Sequence, residues 1–162
     1  MKLWVVRHAK SSWDDPKVPD FGRPLNGRGK RDGPRMARWL SGQADMPTWI
    51  VSSDAVRAKA TTEFVVDGAR VDAAQTIFDH RLYLAESETI LDVVREVPAD
   101  VRSCAIVGHN PGISRFVNEM LGHPVIDELP TFGIAKLDVP APWTTLAFGK
   151  ARLDLLFRPK EL

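Results

Sequence analysis

The sequence predicts an α/β three-layer sandwich, a largely parallel central sheet flanked by helices, and two patterns in it carry that expectation. Short apolar runs of strand length alternate with amphipathic stretches of helical period, the pattern of helices packed on both faces of one sheet. The most continuous apolar run, Cys104-Ala105-Ile106-Val107, is followed by a glycine, as expected of a strand covered on both faces and placed at the sheet centre. With 162 residues, 44% of them apolar, the chain is sized for one core, and residues 1–162 are read as one domain.

Taken in order, Leu3 to Val6 reads as the first strand. Ser11 to Arg23 is polar, rich in Pro, Asp and Gly and without periodicity, so a long surface loop should follow that strand directly. Asn26 can cap a helix from Gly27 to Leu40, with Met36, Ala37 and Leu40 on one face and Ser41-Gly42 at its end. Trp49 to Ser52 is a second strand. Asp54 precedes a helix from Ala55 to Val66, with Gly68 marking its end.

Val71 to Phe78 reads as a weaker extended segment, and Glu86 to Val97 as an amphipathic helix with Ile90, Val93, Val94 and Val97 inward, stopped by Pro98. Pro111 suits the first turn of a helix whose buried face is Ile113, Phe116, Val117, Met120 and Leu121, closed by Gly122. Beyond it, Ile134 to Val139 and Trp143 to Phe148 read as extended runs, followed by Ala151 to Phe157 with a hairpin at Gly149-Lys150; all are expected to be edge strands.

Composition narrows the function classes. The 22 basic and 21 acidic residues leave a formal net charge of +1, so no global field attracts nucleic acid or an anionic membrane. No apolar run approaches the roughly 20 residues of a membrane span, and the start, Met1 to Arg7, lacks the apolar length and small-residue cleavage site of a signal peptide. A cytoplasmic protein is expected. The lone Cys104 rules out an internal disulfide and a cysteine-based zinc cluster, and the four histidines show no His-x-His or His-x-x-x-His spacing. No metal and no cofactor are expected.

Three clusters at strand ends carry chemistry: Arg7-His8-Ala9, Ser53-Asp54-Ala55-Val56-Arg57-Ala58-Lys59-Ala60-Thr61, and Gly108-His109-Asn110-Pro111-Gly112. Parallel sheets open their ligand crevice at the carboxyl ends of strands. A helix starting there aims free N–H groups at an anion. Phosphoryl transfer through a protein nucleophile needs a neutral nitrogen lone pair in line with phosphorus and fixed cations around the equatorial oxygens. His8 can be the first and Arg7 and Arg57 the second, since a guanidinium stays protonated and forks two N–H bonds onto phosphate oxygens.

The sequence resembles the histidine phosphatase superfamily. Arg7-His8-Ala9 matches its Arg-His-Gly signature, with alanine standing where glycine is usual; Ser53 to Thr61 matches its Ser-x-x-x-Arg-Ala-x-x-Thr segment, and Gly108-His109 matches its second histidine. The short chain, Arg23-Pro24-Leu25 and Leu82-Tyr83 are similar to the small SixA-type branch. The resemblance implies a phosphoglycerate mutase-like sandwich with a minimal cap and a phosphohistidine on His8. It also implies a phosphate pocket of Arg7, Arg57 and His109, joined by Arg23. The superfamily's general acid aligns best with Asp79, with Glu86 second.

Hydrolysis of a phosphohistidine protein or of a small phosphorylated molecule is therefore the leading expectation. The alternatives are a phosphomutase, which needs a closed site that excludes water, and a module that binds phosphate or a phosphoprotein without turnover. A pH optimum is expected between a neutral His8 and a charged His109. The remaining features have plainer readings. Gly27-Arg28-Gly29-Lys30 is a helix start with solvated cations, Cys104 a buried apolar side chain, and His80 and His123 solvent-facing or capping residues. The tryptophans serve packing, except that Trp13, in the long loop, could touch substrate.

Overall fold

The computed structural model describes residues 1–162. Six strands form one sheet: β1 (Lys2–Arg7), β2 (Trp49–Ser52), β3 (Thr76–Phe78), β4 (Ser103–Gly108), β5 (Ile134–Asp138) and β6 (Arg152–Phe157). Their order is β3-β2-β4-β1-β5-β6, with β3, β2, β4 and β1 parallel and β5 and β6 antiparallel to their neighbours. Four helices flank it: α1 (Gly27–Ser41), α2 (Val56–Ala69), α3 (Ser87–Arg95) and α4 (Gly112–Leu121).

Strand alternation assigns the layers. Leu3 and Val5 of β1 enter one cluster with the apolar stripes of α3 and α4, whereas Trp4 and Val6 enter the other with Met36 and Leu40 of α1 and Ala58 and Val65 of α2. β4 is buried along its whole length between β2 and β1, as its unbroken apolar run requires. Asn26 caps α1 by accepting from the Gly29 amide at 2.9 Å. Gly29 also lets α1 press against the chain that follows β1, because a Cβ there would lie 2.3 Å from the Lys10 carbonyl oxygen.

Three expectations are corrected. Trp143 to Phe148 is not a strand: residues 143–145 form a single 3-10 turn, and β6 pairs directly with β5, which is therefore internal. The cause is the Trp143 ring, buried beneath the sheet end with its indole N–H donated to the Val101 carbonyl at 2.8 Å, after Pro140 and Pro142 have broken the extended run. Gly68 does not end α2, which runs to Ala69 with Arg70 in the left-handed conformation; Gly68 instead admits the backbone of Ala37 from α1. The third extended segment shortens to Thr76–Phe78, because residues 73–75 wind into a 3-10 turn. No helix is long and apolar enough to cross a membrane.

Candidate active site

The carboxyl ends of β1, β2 and β4 lie side by side, and each delivers part of one cluster. His8 follows β1 and continues its ladder, with its amide donated to the Gly108 carbonyl at 3.1 Å; the Ser53 amide does the same from β2 to Val107 at 2.9 Å. The three key side chains are deeply buried, His8 at 6%, Arg57 at 2% and His109 at 3% exposure. The His8 and His109 rings stand 5.1 Å apart between centroids.

His8 has a defined tautomer. Its Nδ1 lies 2.7 Å from the Ala9 carbonyl, which can only accept, so Nδ1 carries the proton and the lone pair is on Nε2. Arg57 Nε points at that nitrogen from 3.4 Å. Burial lowers the His8 pKa to about 4, with Arg57, Arg7 and Arg23 adding to the effect against the Ala9 hydrogen bond. His109 is lowered to about 3, again first by burial and then by His8, Arg57 and Arg23, with Asp20 opposing. Both imidazoles are thus neutral near pH 7, which corrects the expectation that His109 is charged.

The Ser-x-x-x-Arg-Ala-x-x-Thr segment acquires a task at each fixed polar position. Ser53 Oγ shares a 2.7 Å hydrogen bond with His109 Nε2. Arg57 faces His8. Thr61 Oγ1 donates back to the Arg57 carbonyl at 2.8 Å and accepts from the Ala9 amide at 2.8 Å, tying the helix to the residue after the nucleophile. Arg7 donates through Nη1 to the Leu129 carbonyl at 3.0 Å and sits 3.4 Å from Glu128. Arg7 Nε and His109 Nδ1 are each buried with no hydrogen-bond partner, a cost that a bound acceptor would relieve.

Arg23 is buried beside the same cluster, donating to Ser11 Oγ at 2.7 Å, and the exposed Trp13 ring stacks 3.5 Å from its guanidinium carbon. Between Arg23 and Arg57 lies a residue that the sequence did not single out, Asp20. Its carboxylate accepts from Arg57 Nη2 at 3.0 Å, from Arg23 Nε at 3.2 Å and from the Tyr83 hydroxyl, while its carbonyl accepts from Arg57 Nη1 at 2.7 Å. Burial pushes its pKa up, but the bonds from Tyr83 and Arg57 and the Arg57 charge reverse this and leave it at about 2. Tyr83 in turn packs edge-on against His109, and Phe21 edge-on against Tyr83.

The structure does not bring Asp79 or Glu86 into this cluster. Asp79, at the end of β3, is held by the Arg81 side chain and amide, and the Arg81 hydrogen bond lowers its pKa. Glu86 is exposed, with Arg115 3.4 Å away. His80 is solvent-facing and pairs with Asp54 at 3.0 Å, and Cys104 is a fully buried thiol. No group of three or more His, Cys, Asp or Glu side chains is arranged to hold a metal ion.

Known proteins share this fold. No family model matches the chain. A solved structure assigned as the phosphohistidine phosphatase SixA of Agrobacterium tumefaciens superposes with a TM-score of 0.83 at 28% identity, over 98% of this chain and 97% of that one. One from Nakamurella multipartitia, with the same assignment, gives 0.83 at 27% identity over 98% and 95% of the two chains. An uncharacterized protein of Mycobacterium tuberculosis is 29% identical over 157 residues, 91% of this chain and 96% of its own. In fold, and in the motifs at its strand ends, the chain is similar to the histidine phosphatase superfamily. Within it, the likeness is to the small SixA type.

Proposed function

We propose that the protein is a cytoplasmic phosphatase that works through a phosphohistidine on His8, taking its phosphoryl group from a phosphohistidine protein or a small phosphorylated molecule. The observation that carries this reading is the His8 tautomer: an Nε2 lone pair, kept unprotonated by burial, faces the Arg57 guanidinium with Arg7 and Arg23 nearby.

In the first step Nε2 attacks phosphorus, the bond from phosphorus to the leaving atom breaks, and the leaving group departs with that electron pair. Arg57, Arg7 and Arg23 offset the charge on the equatorial oxygens, and His109 Nδ1 is the neutral polar atom available beside them. In the second step a water oxygen attacks the same phosphorus, the P–N bond breaks, its electrons return to Nε2, and inorganic phosphate leaves. A leaving imidazole needs little help from an acid, which suits a cluster whose carboxyl group, Asp20, is held ionised by Tyr83 and Arg57. For other leaving groups the proposed acids remain Asp79 and then Glu86, although Asp79 is held by Arg81 and Glu86 lies beside Arg115.

The test is incubation with a labelled phosphodonor followed by an alkaline quench, which spares phosphohistidine. Label is expected on His8 in the wild type and none in His8→Ala, with turnover lost in the same variant. Unimpaired turnover in His8→Ala would sink the reading, and tight phosphate binding without turnover would make the protein a binding module. Phosphate returned to a second substrate oxygen instead of water would make it a mutase.

A further inference from the structure

The opposite side of α1 from its buried face carries an array of cations that the phosphate site does not use. Arg28, Arg31, Arg35 and Arg38 recur at spacings of three and four, so they share one helix face, and all four are exposed, as is Lys30. Against these five cations the helix has one carboxylate, Asp32, which is buried and reached by Arg28 and Arg35 only at 3.7 Å. Arg31 and Arg38 have no ion pair. Such a face costs helix stability, because like charges three and four residues apart repel and because the first turn holds Arg28 and no acid, against the helix dipole. A merely solvated face would mix both signs. The whole chain is nearly neutral, so this charge is segregated onto α1 and not a share of a general excess.

The array is continuous with the site. The Asn26 amide is bonded to the Lys10 carbonyl at 3.0 Å, and Lys10 lies two residues beyond His8, so the face begins at the rim of the cluster and runs about 15 Å away from it. Near its start, Arg28 shares a hollow of about 230 Å³ with Arg158, Lys160 and Glu128, the last of which also touches Arg7. Arg158 is paired with Glu161 at 2.8 Å, whereas Lys160 has no partner.

We propose that this arginine face docks a protein with an acidic surface, and that this protein is the carrier of the phosphoryl group that His8 accepts; the proposal rests on the phosphatase reading above. Guanidiniums in a row match carboxylates by bidentate pairing, and a carrier laid along α1 would reach over the end of β1. Nucleic acid is a poorer fit, because the aromatic ring on this helix, Trp39, is already stacked on Phe157 at 3.9 Å and offers no free face to a base. A membrane is poorer still, because no large apolar side chain stands exposed among the arginines.

The test compares two synthetic phosphohistidine peptides of equal length, one with glutamate-rich and one with lysine-rich flanks, using phosphoramidate as the small substrate. The acidic peptide is expected to show kcat/KM about tenfold above the basic one at low salt, with the gap closing as salt rises. In the variant Arg31→Glu/Arg35→Glu/Arg38→Glu the preference should vanish or invert while phosphoramidate hydrolysis is unchanged, which also reports intact folding. Equal kcat/KM for both peptides, or a preference that survives in the triple variant, would overturn the docking proposal and leave the phosphatase standing. Hydrolysis of neither peptide nor phosphoramidate would instead be the failure of the phosphatase reading. In that event binding to poly-L-glutamate, lost in the triple variant, still supports the surface; binding to a single-stranded RNA homopolymer or to anionic vesicles without binding to poly-L-glutamate overturns it.

Discussion

Replacing Asp20 by Asn keeps the shape of the side chain and removes the charge that Arg57, Arg23 and Tyr83 share. Two effects of opposite sign follow. Arg57 Nη2 donates to this carboxylate while its Nε points at the nucleophile, so a phosphoryl group on His8 would sit one guanidinium away from the Asp20 charge. At roughly 5 Å, two unit charges interact by about 3 kcal/mol at an effective dielectric of 20. Because the Asp20 side chain is 39% exposed, solvent screening reduces that to about 1 kcal/mol. Removing the charge should therefore tighten vanadate, a mimic of the five-coordinate phosphoryl state, about fivefold.

The second effect is on rate. Losing a preorganised donor outright typically costs about a hundredfold to a thousandfold in kcat. In Asp20→Asn the donor remains, still held by the Asp20 main-chain carbonyl at 2.7 Å, and only its second restraint is weakened. A fall in kcat of about tenfold is the expectation. Steady-state hydrolysis of phosphoramidate with vanadate inhibition reads both quantities from one preparation. Weaker vanadate binding with unchanged kcat would refute the arrangement, since it would mean that Asp20 helps to bind the anion and does not restrain the arginine.

Two further predictions come from burial and from packing. With His8 lowered to about 4 and His109 to about 3, kcat/KM corrected for the substrate's own ionisation should be flat from pH 5 to 8, and an acid limb near pH 6.5 would contradict the burial of His8. The same shifts act on stability: below the unfolded value of 6.5 the unfolded chain takes up protons that the folded histidines refuse, so melting temperature should fall as pH drops from 6.5 towards 4. Gly29→Ala would place a Cβ 2.3 Å from the Lys10 carbonyl oxygen, a backbone atom that no rotamer change can move, so α1 must shift; a loss of about 1–3 kcal/mol in denaturant unfolding is expected. Wild-type stability in that variant would show that the start of α1 yields freely.

Legibility in the sequence followed how local each signal was. His8 and His109 stood out because each directly follows a short apolar strand, and Arg57 because it opens the helix after a third; adjacent parallel strands must bring such ends together. Asp20 did not stand out, because nothing in the unpatterned loop from Ser11 to Arg23 says which of its acids folds back onto Arg57. A physical clue was available nonetheless: an arginine buried as deeply as Arg57 needs a counter-charge, and the long loop was the nearest place to look for one. Asp79 sits at a strand end like the others, yet Arg81, two residues on, binds its carboxylate from within the same turn, a local competitor visible in the sequence itself. Trp143 to Phe148 misled because its apolar residues fit a strand, while the size of one indole and its need for an acceptor decided otherwise.

The neutrality of both histidines also bears on why the charge in this cluster is supplied by arginine. Burial penalises every charged group, and with no carboxylate bonded to either ring it moves the His8 and His109 imidazoles well below neutrality, so neither serves here as a standing cation at physiological pH. A guanidinium starts so far above neutrality that the same penalty leaves it charged: Arg7 is lowered by burial, with Glu128 opposing, and stays protonated. The two roles that phosphoryl transfer demands, an uncharged nucleophile and fixed positive charge, thus separate by residue type in one buried volume. Exchanging them would defeat both, since a lysine in place of Arg57 would offer one point charge where the guanidinium faces His8 and Asp20 at once.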